Sequence, residues 1–318
     1  MVRITAFLRN YLFRMVIVAF GVSTLCFLAV EFSPGDRAME VAMARYGLDG
    51  ATASAVEYVR ISEGLDRPPL VRYCGWLSNL IRGNWGYSMV GGGKILPSLL
   101  RAFRRSALLA FTAVGISLII AFPLGIYCGC HPGGIADICS SALSSIFISF
   151  PPFLVGIVIM LFVAVKFHIL PVAGFSSASN VLLPALTLAL GLASASSRMI
   201  ASSVLQARQS EHYMFAMHKG LKGMALFMPH GLLNAMAPIV IYVGLQTARL
   251  LDGVVVVETL FTWPGLGCLL LEALQSGNIL VIQGAGVFLG WIYVTVNTLT
   301  EWTADGLAPL SEEVQPTR

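Results

Sequence analysis

Six apolar runs, each long enough to cross about 30 Å of hydrocarbon, dictate what this chain can become. They fall near residues 10–32, 106–129, 141–166, 181–204, 234–257 and 279–300. Lipid offers no partner to a bare peptide group, so each run is expected to close its own hydrogen bonds as a helix. Charge is almost confined to the segments between them. Only 11% of the 318 residues are charged and 57% are hydrophobic, with a mean hydropathy of +0.80, whereas soluble domains carry about 25% charged residues. The expected fold class is therefore an all-α integral membrane protein with six transmembrane helices. The fourth run is diluted by Pro184, Ser194, Ser196 and Ser197, and small residues at that density favour close packing between helices.

The first run, from Tyr11 to about Phe32, has no small-x-small cleavage site followed by a polar start and reads as a retained helix. Lysine and arginine set the orientation. With the N-terminus inside, the cytoplasmic side carries Arg3, Arg9, Arg14, Arg198, Arg208, Lys219, Lys222 and Arg318, and the short outer loops carry only Lys166. Both termini are then cytoplasmic. Four regions follow: residues 1–32 (N-terminus and first helix), 33–105 (an outer cap), 106–304 (a five-helix core with a cytoplasmic loop at about 205–233) and 305–318 (a cytoplasmic tail). The cap holds prolines, glycines and aromatics in the pattern of a small folded element, with Gly91-Gly92-Gly93 as a flexible tip.

Known chemistries are largely excluded. The nearest approach to a phosphate-binding loop, Gly93-Lys94-Ile95, has isoleucine where a hydroxyl must hold magnesium. Neither a His-Glu-x-x-His nor a Gly-x-Ser-x-Gly sequence occurs. The six cysteines form no Cys-x-x-Cys pair and have no histidine at zinc spacing. The net charge of +4 follows membrane topology and forms no nucleic-acid-binding patch. The chain therefore reads as a non-enzyme with no catalytic residue, metal or cofactor of its own.

Two polar features remain. Residues 198–238 form an island between apolar runs, with Glu211-His-Tyr-Met-Phe-Ala-Met-His-Lys-Gly-Leu221 at its centre; a structured loop of this kind implies a cytoplasmic partner that docks on it. In the fifth run, Arg249 and Asp252 stand three residues apart on one helix face. Ionisable groups at that depth line a path for polar solutes or neutralise each other at a helix interface. Beyond them, the stretch from Gly253 to Gly267 passes through Glu258, Trp263, Pro264 and Gly265. It suggests a structural re-entrant turn, with Glu258 capping the next helix or binding a turn.

Taken in order, these residues resemble the dipeptide/oligopeptide/nickel permease family of ABC importers. The series opens with Pro34-Gly35-Asp36, Gly64-Leu65-Asp66, Tyr73, Trp76, Gly83, Gly86 and Ser88. It continues through Pro171, Gly174, residues 183–188, Arg198, Ala216, Lys219-Gly220-Leu221, His230, Asn234 and Pro238. It closes with Gly253, Glu258, Phe261, Trp263-Pro264-Gly265, Gly267 and Asn297. The resemblance implies the type I ABC importer permease fold in a cytoplasmic membrane. It also implies a second homologous permease, two ATP-binding subunits that hold ATP and magnesium, and an extracytoplasmic substrate-binding protein. Glu211, Ala216, Lys219, Gly220 and Leu221 would belong to a coupling helix seated on an ATP-binding subunit, Ala216 and Gly220 being its packing positions. Arg249 and Asp252 would be candidates for the translocation path, and Pro34, Gly35, Asp36, Gly253, Glu258, Trp263, Pro264, Gly265 and Gly267 would be structural.

The cargo implied is most often a di- or oligopeptide, with nickel chelates and other small solutes as alternatives. Several positions depart from the family pattern. Met214, Met217 and His218 stand where basic or small residues are common, Asn84 replaces an aspartate, and Ala308-Pro309-Leu310 replaces an Asp-Pro-Arg ending. These departures leave a degenerate, non-transporting scaffold as the rival reading. A proton-driven transporter would need intramembrane carboxylate or histidine relays and internal repeats, and neither is evident.

Overall fold

A computed structural model describes residues 2–32, 35–172, 174–175 and 178–312, with backbone alone for 2–8, 10, 30, 251, 252 and 304–312. Helix α1 (Val2–Glu31) leads into three short helices, α2 (Arg37–Tyr46), α3 (Ala53–Ser62) and α4 (Pro69–Ile81). Next come α5 (Ile95–Cys130), α6 (Ile135–Ser149) and α7 (Pro152–Ile159), the last prolonged by a π-helical segment, Met160–Lys166. The remainder comprises α8 (Leu182–Gln209), α9 (Glu211–His218), α10 (Gly223–Leu226), a second π-helical segment Phe227–Leu232, α11 (Leu233–Leu260), α12 (Leu266–Gln275) and α13 (Ile279–Glu312). Among the described residues five helices are long and apolar enough to cross a membrane, and α6 with α7 makes a sixth crossing if the bent pair is one span.

That bend corrects the simple third span. Phe150 is extended, with φ −96° and ψ 134°, and the two segments meet at 106°. A residue before proline is pushed out of the α region. Pro152, by contrast, sits in the first turn of α7, where a missing N–H costs nothing. The second span also begins earlier than its apolar run. Helix α5 has 36 residues, about 54 Å at 1.5 Å per residue, so the stretch bearing Arg101, Arg104 and Arg105 is helical too. Helix α13 likewise runs on to Glu312, through the first residues of the expected tail.

The chain forms two compact units, residues 1–106 with 264–294 and residues 107–263 with 295–318. In the first unit the expected cap packs together with α1, α12 and the first half of α13. Its core joins Val41 and Val59 to Leu99, Leu266, Ile282 and Ala285. Asp36 caps α2 by accepting from Ala38 N at 3.0 Å, and its second oxygen takes Arg60 at 2.6 Å. Gly35 before it has φ +130°, which a side chain would strain; Pro34 lies outside the described residues. Gly286 and Gly290 let α13 lie close to α1, since a Cβ there would come within 2.8 Å of Cys26 Sγ and 2.6 Å of Val18 Cγ1. The expected flexible tip is a closed turn: Ser88 N donates to Gly93 O and Gly92 N to Ser88 O. Asn84 accepts from Gly86 N at 3.1 Å, as an aspartate would.

The second unit is centred on α8. Two glycines spaced four apart, Gly125 and Gly129, let α5 cross it almost backbone to backbone. A Cβ at either would sit 2.6–2.7 Å from Ile200, Ser197 O or Ala201 O, the close approach that small residues permit in membranes. Gly156 of α7 is similarly enclosed by Leu260, Thr187 and Phe261.

Candidate functional site

The polar island is a tightly specified loop of the second unit. Ser210 ends α8 with its hydroxyl on Ala207 O at 2.7 Å and starts α9 by accepting from Tyr213 N at 3.3 Å. One residue thus satisfies groups at both helix ends and fixes the corner between them. At the far end Gly220 N donates to Met217 O and Leu221 N to Ala216 O, the two-bond pattern that closes a helix through a left-handed residue. Gly220 supplies that residue with φ +91°. The eight-residue helix is therefore locked at both termini.

Its two faces differ sharply. Tyr213 and Ala216, one turn apart, are buried with Leu226 in a cluster of their own. Ala216 is 4% exposed, so it holds the helix against α10 from beneath. Glu211, Lys219, Gly220 and Leu221 are all exposed. Beside them lies an apolar surface of which the sequence reading noted only Met214 and Met217, as departures from pattern: Met214, Phe215, Met217 and Met224 are exposed, Phe215 by 62% and Met224 by 70%. Lys219 Nζ stands 4.4 Å from the centre of the Phe215 ring, within cation–π range.

The same end of the unit is bound together by side chains from α8. Arg208 donates to Cys130 O at 2.6 Å, satisfying a carbonyl at the end of α5. Arg198 pairs with Asp137 at 2.5 Å, and Asp137 also accepts from Gly133 N at 3.0 Å. The α5–α6 turn is thereby tied to the helix that carries α9. Sequence reading named Arg208 for its charge and Arg198 for its charge and its place in the resemblance; their partners, 78 and 61 residues away in sequence, carried no such signal.

A second feature sits at the α6–α7 bend. A cavity of about 440 Å³ is lined by Phe147, Phe150, Phe153, Gln246, Arg249 and Gly253, among others. Arg249 is exposed on this lining. Asp252 lies on the same helix, but its side chain is outside the described residues. Glu258, two residues before the end of α11, is fully buried. There the chain turns through Thr262 at φ +51°, with Trp263 N on Glu258 O at 2.8 Å and the Trp263 ring edge-on to Phe175 at 4.9 Å. In the first unit Gly265 and Gly267 are buried around the start of α12, where Leu266 N donates to Ser106 Oγ at 2.8 Å. Arg105 there reaches Pro264 O at 3.4 Å.

Residues 121–311 match the sequence family described as the binding-protein-dependent transport system inner membrane component. The chain belongs to that family. It is 31% identical over 282 residues to the glutathione transport system permease protein GsiC of Escherichia coli strain K12, covering 89% of this chain and 90% of the relative. It is 30% identical over 288 residues to GsiC of Pectobacterium atrosepticum, covering 91% and 92%. Against the probable peptide ABC transporter permease protein y4tP of Sinorhizobium fredii the identity is 28% over 288 residues, covering 88% and 90%. The protein is thus a multi-pass inner-membrane permease subunit of an ABC transporter. It is a transport subunit, not itself an enzyme, and it works with ATP-binding and substrate-binding partners.

Proposed function

We propose that this permease moves short peptides inward. It would do so as one of two permease subunits, with two ATP-binding subunits that hold ATP and magnesium and an extracytoplasmic binding protein that delivers cargo. Both termini and α9 face the cytoplasm in this reading. The observation that carries it is α9 itself: a short helix, fixed at both ends, whose outward face is apolar and flanked by Glu211 and Lys219. Exposed methionines and an aromatic ring rimmed by charge are the composition of a docking surface.

A rigid docked helix passes on displacement because packed elements shift as bodies. Motion of α9 would enter α8 through the Ser210 corner and the α5–α6 turn through Arg208 and the Arg198–Asp137 pair. The hinge for such motion is the 106° bend, and the adjoining cavity with Arg249 is the proposed path lining. Peptides are the cargo favoured by the named relatives, since glutathione is itself a tripeptide. The test replaces Phe215 with glutamate in the assembled transporter. Peptide uptake and cargo-stimulated ATP hydrolysis should fall at least about tenfold, as for a lost interface anchor, while the membrane level of this subunit stays normal. Uptake at the wild-type rate would refute docking through α9.

A further inference from the structure

Helix α4 carries apolar residues on its outward face and its one charge on the inward face. Leu70, Cys74, Leu77 and Ile81 recur at spacings of four, three and four, which aligns them along the helix. Leu70 and Ile81 are 76% and 80% exposed, Cys74 is exposed and Leu77 is half-buried. The charge, Arg72, turns the other way and pairs with Glu31 of α1 at 2.7 Å, its side chain only 16% exposed. A helix facing water would put charge on its outward face and keep such a stripe for its core. An exposed apolar stripe free of charge marks contact with another apolar surface.

The attachment of α4 to α1 fixes the level at which that stripe lies. The apolar span of α1 covers Tyr11–Ala29. Tyr73 donates its hydroxyl proton to Thr24 Oγ1 at 2.7 Å, since Thr24 gives its own to Phe20 O, and the Tyr73 ring packs on Phe27 at 5.2 Å. Thr24 stands five residues before the end of the span, about 7.5 Å inside it at 1.5 Å per residue. Glu31, the partner of Arg72, stands two residues beyond that end. Neighbouring residues of α4 thus reach one point within the apolar layer and another just outside it. Further along, Trp76 and Asn79 line a cavity with Phe27 and with Leu280 and Gln283, in the first turns of the α13 span. The helix therefore runs past the ends of two spans, where hydrocarbon meets headgroups. Arg67 and Arg82, both exposed, bracket it, as cations do when their charge rises to the lipid phosphates.

We propose that α4 is an interfacial helix, with its stripe among the acyl chains and Arg67 and Arg82 at the phosphates. Lipid is the occupant because the stripe adjoins a surface that lipid already covers. The span of α1 is little buried and bears exposed Phe20, Leu25 and Leu28. The segment expected to form a water-facing cap is then anchored in the bilayer beside α1. This holds whatever the cargo and whichever way it moves.

The test is spin-label accessibility in the assembled transporter in lipid nanodiscs, without its binding protein. Cys74 is the labelling site, the other five cysteines being replaced by alanine. Leu70→Cys and Ile81→Cys are labelled in turn, with Cys74 also replaced, and Glu57→Cys on the exposed side of α3 is the water-facing reference. Oxygen concentrates in lipid, whereas a nickel chelate stays in water. The ratio of oxygen to nickel collisions should be several-fold higher at 70, 74 and 81 than at 57. A ratio equal to that at 57 would place the stripe in water and overturn the proposal. Poor access to both reagents would mean that protein covers the stripe, and would overturn it equally. Should the cysteine replacements prevent assembly, the unaltered transporter is photolabelled with a diazirine dissolved in the lipid. Carbene adducts should then fall on Leu70, Cys74, Leu77 and Ile81 and spare Glu57; an α4 without adducts would refute the proposal.

Discussion

Gly220 has open space around it, since an added Cβ would meet nothing within 4 Å, yet its φ of +91° is one that side chains rarely adopt. Any loss on substitution is therefore conformational. Gly220→Val should cost about 1–2 kcal/mol at this turn and release the end of α9, lowering transport several-fold while the subunit still inserts. Gly115→Ala in α5, also without neighbours within 4 Å but lying in regular helix, should change neither; an equal effect at both sites would contradict the conformational account. The Arg198–Asp137 pair is partly exposed, at 37% and 20%, so its contribution to stability is about 0–1 kcal/mol. Its expected role is positional. Arg198→Gln and Asp137→Asn should each impair ATP-coupled uptake, and the double variant should be no worse than either single one. Additive losses would separate the two residues.

Among the elements, α5 and α8 approach closely in the second unit, through Gly125 and Gly129. Gly129→Leu should overpack this crossing by about 1–3 kcal/mol and lower the melting temperature of the purified complex; an unchanged melting profile would mean the helices separate freely there. Much of this level was legible in the sequence. Apolar length gave the long helices, and the Phe150-Pro151-Pro152-Phe153 stretch carried the bend in its prolines. The run through it was nonetheless uninterrupted in hydropathy and so read as one span. The start of α5 was hidden for the opposite reason, because three arginines interrupt the apolar pattern without interrupting the helix. On α9, sequence pattern singled out Ala216 and Gly220, but spacing alone does not say which face is buried. The structure puts Ala216 beneath and the methionines outside. Contacts such as Arg208 to Cys130 O span 78 residues and leave no local signal.

For the molecule as a whole, the departures in Met214, Met217 and His218 acquire a different meaning. They supply an apolar outward surface and a capped helix end, since His218 Nδ1 stands 2.7 Å from Met214 O. An eroded scaffold would have no reason to keep α9 locked at both ends by Ser210 and Gly220. The central claim is that movement at this helix drives peptide import, and it is tested most directly by ATP hydrolysis in the reconstituted complex as peptide-loaded binding protein is titrated in. Loaded binding protein should stimulate hydrolysis, and Phe215→Glu should abolish the stimulation while basal hydrolysis by the ATP-binding subunits persists. A flat response from the intact wild-type complex to every peptide-loaded form, or undiminished stimulation in the Phe215→Glu complex, would contradict it.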